Sequence, residues 1–246
     1  MRYLILSDLH ANWQALEAVL QASAGQYEQV LCCGDLIGYG GDPNAVVEWI
    51  RANVSVVVRG NHDKAAVGLE DLEWFNPVAR AAALWTHQEL SPENTEYVRN
   101  LPRGPIGKDG FQVTHGSPLD EDEYLISPAD AAHVFSYLEA PVTFFGHTHV
   151  QGGFALSPPY VEVIPRPAAQ AVDQRMALSD PCAYLINPGS VGQPRDGDPR
   201  AACILYEPRD SCVVYRRVAY DVEKAQRRIR QAGLPAVLAD RLAAGR

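Results

Sequence analysis

The sequence predicts an α/β fold on three observations. Over the first 60 residues, short apolar runs alternate with amphipathic segments that carry helix-start signals. Glycines follow the ends of those runs, and ionisable residues gather just behind them. A β-α-β-α-β order of this kind implies parallel strands joined by right-handed crossovers.

Tyr3–Leu6 is a short apolar run suited to a buried strand, and Asn12 can cap a helix with Leu16, Val19 and Leu20 on one face. Gln29–Cys33 reads as the second strand, ended by Gly34. Asp42-Pro43 puts proline at the first position of a helix whose stripe is Val46, Val47 and Ile50. Ser55–Val58 is β-branched and apolar and reads as the third strand. Residues 64–105 change character. They look helical and aromatic-rich, with Trp74, Phe75 and Trp85, and Ser91-Pro92-Glu93-Asn94 reads as a capped helix start. This stretch is either a helical insertion covering a site or a helical layer packed on the sheet. Pro105–Thr114 then reads as a hairpin turning at Asp109-Gly110. Asp130–Leu138 reads as a helix and Val142–Phe145 as a strand. Further strands are expected at Val161–Ile164, Ala183–Ile186, Ala202–Tyr206 and Cys212–Val218, with Pro165–Asp180 as a surface loop. Asp221–Ala232 is a basic amphipathic helix, read as a solvated face, and Leu234–Ala243 a last short helix.

The 246 residues correspond to about 1.6 average domains, which fits one large domain or a core with a cap. At that length roughly 70–75% of the unfolded surface can be buried, so no covalent staple is needed. Apolar residues at 47% and charged residues at 21% exclude a disordered chain. Thirty acids against 21 bases give a net charge of −9, which argues against an extended nucleic-acid-binding face. A small phosphate ligand stays open, because a bound metal can reverse the local field. No apolar run suits a secretory signal, and none approaches the roughly 18 residues of a membrane span. Five cysteines, with Cys32-Cys33 adjacent and Cys182, Cys203 and Cys212 scattered, have no zinc spacing. They read as reduced, mostly core thiols of a cytoplasmic protein.

Most of the ionisable signal follows expected strands: Asp8 and His10, then Gly34-Asp35, then Gly60-Asn61-His62-Asp63, then His115-Gly116, then Gly146-His147-Thr148-His149. Ligands of open α/β sheets bind outside the carboxyl ends of the strands. Singly, each motif has an ordinary reading: Asp8 as a cap, Asp35 as a turn acid, His62 as an exposed imidazole, His115 as a satisfied core histidine. His147 and His149 are stronger, since both point to one side if the strand continues. Asp and His without Cys suit borderline or hard divalent metals. Two carboxylates, several imidazoles and one amide oxygen suffice for two ions sharing a bridging Asp, an arrangement that serves in-line phosphoryl displacement. The glycines at these strand ends permit tight turns and close approach. Five of the seven histidines fall in these motifs; His87 and His133 read as structural or surface residues.

With these motifs in this order, the sequence resembles the calcineurin-like metallophosphoesterase superfamily. The segment Asn187-Pro188-Gly189-Ser190-Val191-Gly192 resembles its bacterial and archaeal small-phosphodiesterase branch, and the likeness spans about residues 1–206. The resemblance implies a four-layer αββα sandwich, two mixed sheets flanked by helices, in a single domain over residues 1–246. Residues 64–105 would be an insertion and 207–246 a C-terminal extension. It implies two divalent ions, drawn from Mn, Fe, Zn or Ni with Mg also admitted. One would take Asp8, His10, Asp35 and His149, the other Asp35, Asn61, His115 and His147, with Asp35 bridging. His62 would stand at the leaving oxygen as general acid or transition-state stabiliser. The implied reaction is in-line attack of a metal-bridging hydroxide on small phosphodiesters or nucleotides.

The alternatives on the same centre are a phosphomonoesterase, a phosphoprotein phosphatase, a dinucleoside polyphosphate hydrolase or, against the intact ligand set, a non-enzymatic scaffold. Protein phosphatases of the superfamily carry Asp and Arg where this chain has Gly38 and Tyr39, which weakens the phosphoprotein reading and leaves the partner orienting His62 to be found. Arg195 either pairs a substrate phosphate or is a surface-loop arginine. Asn12 either caps its helix or contacts substrate, with capping favoured. The insertion and the extension are the parts that would set substrate choice or oligomer contacts.

Overall fold

A computed structural model describes residues 1–246, except the side chain of Trp74, whose place among the aromatic residues of 64–105 thus lies outside the described residues. Two six-stranded mixed sheets face one another. In the first, β1 (Tyr3–Leu6), β2 (Gln29–Cys32) and β3 (Val56–Val57) run parallel, as the sequence predicts. Beyond β1 the sheet turns antiparallel through β11 (Ala201–Glu207), β12 (Cys212–Val218) and β9 (Asp173–Ala177). The second sheet has the order β4 (Ile106–Lys108), β5 (Phe111–Val113), β6 (Val142–Phe144), β10 (Ala183–Asn187), β7 (Gly152–Ser157), β8 (Tyr160–Ile164).

The period-2 rule sorts the layers. Tyr3, Ile5, Leu31, Ile204, Tyr206, Val213 and Tyr215 meet Phe111, Val113, Phe144 and Ile186 between the sheets. The alternate residues Leu4, Leu6, Val30, Cys203, Leu205 and Val214 face the helices α1 (Trp13–Ala22) and α2 (Pro43–Asn53) through Leu16, Val19, Val46 and Ile50. On the outer face of the second sheet, α6 (Pro128–Phe135) packs Ala131, Val134 and Phe135 on Phe145, Phe154 and Leu185. These are the four layers of an αββα sandwich.

The caps explain the helix starts. Asn12 Oδ1 accepts the Ala15 N–H at 3.1 Å, and its Nδ2 donates to the Gly192 carbonyl at 2.8 Å, so Asn12 is the cap of α1. Ser91 caps α5 (Pro92–Arg99) through the Asn94 N–H. The hairpin turns at Asp109 and Gly110, with φ of 48° and 88°, as a two-residue turn of that sequence should.

Three readings need correction, and one strand lies outside any of them. The helix expected at Asp130 begins at Pro128, because Ser127 and Asp130 form a reciprocal cap. Pro165–Asp180 is not all loop: Asp173–Ala177 adds the edge strand β9, whose polar, alternately exposed residues gave no apolar signal. β7, opened by Gly152-Gly153, carries no strand signal in the sequence, since paired glycines resemble a break. The strand before His147 stops at Phe144, so strand alternation does not set the directions of His147 and His149.

Residues 64–105 hold the end of α3 (Asn61–Ala66), a short 3-10 turn, α4 (Pro77–Glu89) and α5. α4 meets α7 (Val222–Gln231) and α8 (Ala236–Ala244) in one apolar cluster around Tyr39, made by Ala79, Ala82, Ile229, Leu238 and Leu242. The middle and the C-terminal end of the chain thus form one wall beside the loops that follow the parallel strands. The basic helix α7 is a solvated face on its outer side, but Ala225 and Ile229 are buried in that wall.

Candidate metal centre

All nine sequence-predicted site residues lie at one edge of the sandwich. The first sheet supplies Asp8 and His10 after β1, Asp35 after β2, and Asn61 and His62 after β3. The second supplies His115 after β5 and His147 and His149 after β6. Arg195 follows β10.

Two groups of ligating atoms converge there. Asp8, His10, Asp35 and His149 present atoms within 4.8 Å of one another, as do Asp35, His115 and His147, and all six residues are buried. Asp35 belongs to both groups: its Oδ2 lies 3.6 Å from His10 Nε2 and 3.5 Å from His115 Nε2. His10 Nε2 and His149 Nε2 face each other at 3.0 Å, and His149 Nε2 is 3.4 Å from Asp8 Oδ1. Asn61 Oδ1 lies 3.3 Å from His115 Nε2.

The imidazoles are aimed from behind. Backbone carbonyls of Ile37, Cys33 and Gln193 lie 3.1, 2.8 and 2.6 Å from the Nδ1 atoms of His10, His115 and His149. Each carbonyl holds a proton on Nδ1 and leaves Nε2 as a free lone pair, the tautomer a metal ligand needs. The fit to divalent cations rests on the orphaned atoms. Asp8 Oδ2, Asp35 Oδ2 and His147 Nε2 are fully buried without a hydrogen-bond partner. Buried polar groups are seldom left so, and carboxylate and imidazole together suit a hard or borderline ion.

The electrostatics agree. Burial, above all, pushes the Asp8 and Asp35 carboxyls up to about 7 in the metal-free protein. Burial holds the His10 and His149 imidazoles well below their ordinary range, with His62 and Arg195 respectively adding to it. Cations placed between such groups would relieve both penalties.

Backbone conformation places these side chains. Asp8, His10, Asp35, His147 and His149 have φ between 47° and 67°, and they are five of the nine non-glycine residues with left-handed backbone. Such conformations cost of order 1–3 kcal/mol each and gather at functional sites. They also explain why His147 and His149 reach different groups with no strand to alternate along. At Gly60 a Cβ would stand 2.1 Å from Asp35 Oδ1, so only glycine lets the two loops meet.

His62 donates its backbone N–H to Asp35 Oδ1 at 2.9 Å, while its ring lies between those of Tyr39, His10 and Phe75, at centroid distances of 4.3, 5.0 and 5.6 Å. Its Nδ1 is buried without a partner. A Cβ on Gly38 would lie 3.0 Å from that atom, so aromatic packing positions this ring in place of a carboxylate. Burial, then Arg195, lowers the His62 imidazole to about 3.

The guanidinium of Arg195 lies 5.7 Å from the Tyr39 ring centroid and donates to Gln193 Oε1 at 3.0 Å, so Arg195 is no detached surface arginine. His87 Nδ1 meets the Ala66 carbonyl at 2.8 Å and His133 is exposed on α6, which keeps both outside the centre.

Sequence reasoning missed several supports. Asp63 accepts N–H bonds from Leu36, Ile37 and Gly60, tying the Asp35 loop to the start of α3; the motif Gly60-Asn61-His62-Asp63 contains it, but nothing in the sequence assigns it a role. Tyr124 lays its ring 3.7 Å from that of His147. Lys64, nearly buried, pairs with Glu121 and Glu70 at 3.1 Å and with Asp122 at 2.5 Å, fastening α3 to the loop that carries Tyr124.

The calcineurin-like phosphoesterase superfamily domain matches residues 1–210. The uncharacterized protein MJ0912 of Methanocaldococcus jannaschii is 35% identical, over 98% of this chain and 97% of its own. A metallophosphoesterase from Sphaerobacter thermophilus is 40% identical, covers 100% of this chain and 99% of its own, and superposes with a TM-score of 0.86. The hypothetical protein PH1004 from Pyrococcus horikoshii OT3, 19% identical with 100% and 98% coverage and a TM-score of 0.78, shares the fold.

Proposed function

The chain belongs to the calcineurin-like phosphoesterase superfamily, and from that membership we propose that it is a dimetal phosphodiesterase acting on small phosphodiesters or nucleotides. One observation carries the reading: Asp35 Oδ2, buried and without a hydrogen-bond partner, stands between two groups of ligating atoms at 3.6 and 3.5 Å from their imidazoles. Asp8, His10, Asp35 and His149 would hold one divalent ion, and Asp35, Asn61, His115 and His147 the other. Bound there, the ions supply Lewis acidity and an activated water. In the reaction a water oxygen bonds to phosphorus, the P–O bond to the leaving group breaks, and the leaving oxygen takes a proton. His62 is placed to donate a proton or a hydrogen bond to that oxygen. Arg195 pairs a phosphoryl oxygen, and Tyr39 keeps its guanidinium over the site. Five cysteines that are all free suit a reducing compartment, in keeping with cytoplasmic residence. No helix among the described residues is long and apolar enough to cross a membrane.

The test is hydrolysis of bis-p-nitrophenyl phosphate against p-nitrophenyl phosphate by metal-stripped protein resupplied with Mn²⁺. Diester turnover well above monoester turnover is expected. Monoester preference would transfer the chain to the phosphomonoesterases. Absence of turnover in protein holding two ions per chain would overturn the reading for simple esters.

A further inference from the structure

The C-terminal helix brings a second guanidinium to the site. Arg241, on α8, donates from Nη1 to Gln193 Oε1 at 3.4 Å, the same oxygen that accepts from Arg195 Nη2 at 3.0 Å. One amide oxygen therefore steadies two cations. Arg200, Arg216, Arg217, Arg228 and Arg230 each sit on an aspartate. Among the described residues, Arg195 and Arg241 have hydrogen bonds only to neutral acceptors and no carboxylate partner. Burial and the neighbouring Arg195 pull Arg241 below the ordinary arginine range. Such a pair is unfavourable alone and favourable around an anion. In a chain of net charge −9 it is not a by-product of a generally basic surface.

Its position ties it to the metal-ligand groups. The Gln193 carbonyl lies 2.6 Å from His149 Nδ1, and the Arg195 N–H donates to the His149 carbonyl at 3.2 Å. Tyr39, beneath the Arg195 guanidinium, also touches His10 and His62 at centroid distances of 4.7 and 4.3 Å. The apolar wall of Leu238, Ala239 and Leu242 around Tyr39 fixes the helix that carries Arg241.

We propose that Arg195 and Arg241 form a subsite for a second phosphoryl group. Within the small phosphodiesters and nucleotides proposed above, the preferred members are then polyphosphate esters, nucleotides with at least two phosphoryl groups in series. One would be seated at the ligand groups and the next between the two guanidinium planes, each able to meet phosphoryl oxygens bidentately. This rests on the reading that a phosphoryl group sits at those ligand groups.

The test is calorimetric titration of the metal-loaded full chain, with free metal in excess, by orthophosphate and by hydrolysis-resistant imidodiphosphate. Imidodiphosphate should bind about tenfold or more tightly than orthophosphate, the scale of a charge-assisted hydrogen-bond pair. Arg241→Met should reduce that ratio to about threefold or less, and Arg241→Lys should keep part of it. Arg195→Met is the second variant, and melting temperatures measured alongside separate loss of the subsite from loss of the fold. A wild-type ratio near one, or an unchanged ratio in a folded Arg241→Met protein, overturns the proposal. Because binding is read without turnover, failure of the diester assay would leave this ratio measurable, and a collapsed subsite with intact diester turnover would count against the subsite alone.

Discussion

Asp35 and His62 stand 27 residues apart, touch through one hydrogen bond, and should fail differently when replaced. Asp35 is shared by both ligand groups, so Asp35→Asn should weaken metal affinity at least about 100-fold and take activity with it. His62 presents a ring that the ligand groups do not include, so His62→Ala should keep two ions per chain and lose about 10²- to 10⁴-fold in kcat. Metal analysis by mass spectrometry beside steady-state rates checks both; metal loss in His62→Ala would reverse the assignment. Gly60→Ala is a sharper probe, because its new methyl would occupy the place of Asp35 Oδ1. It should resemble Asp35→Asn in metal content although it removes no ligand, and a fully metallated Gly60→Ala would show that the loops can part.

At the scale of elements, the legible parts were those whose information is local. β1, β2 and α1 announce themselves by apolar runs and the Asn12 cap, and the ligands stand directly behind such runs. β9 was not legible because an edge strand need bury little, and its residues are polar. Arg241 was not legible either, since nothing near it in sequence points to Gln193; only the packing of α8 brings them together. That packing is open to measurement. Leu238 is fully buried in the wall around Tyr39, so Leu238→Ala should lower unfolding stability by about 2–4 kcal/mol in urea. A loss under about 0.5 kcal/mol would mean that the wall is not a packed part of the core.

For the whole molecule, the acids at the centre set a dependence on pH. Asp8, Asp35 and Asp63 are each pushed up to about 7, by burial first in every case. The metal-free fold therefore holds these protons more tightly than the unfolded chain does. Their contribution to stability is full below the unfolded value near 4 and is lost as pH rises toward 7. Metal-stripped protein should melt about 5 °C or more lower at pH 8 than at pH 5.5, and Mn²⁺ should raise the melting temperature more at pH 8. Equal metal-induced shifts in scanning calorimetry at the two pH values would show that these acids are ionised in the metal-free fold. The distribution of the ligands has a mechanical side too. Three candidate ligand loops come from one sheet and two from the other, and the bonds crossing between them include His147 N–H to Asp8 Oδ1 at 3.1 Å and His115 Nδ1 to the Cys33 carbonyl at 2.8 Å. The centre is thus a clasp along one margin of a book whose pages are pinned elsewhere by single bonds such as Tyr215 Oη to the Gly152 carbonyl at 3.0 Å, and the tempo at which that margin breathes open would govern how readily ions are exchanged.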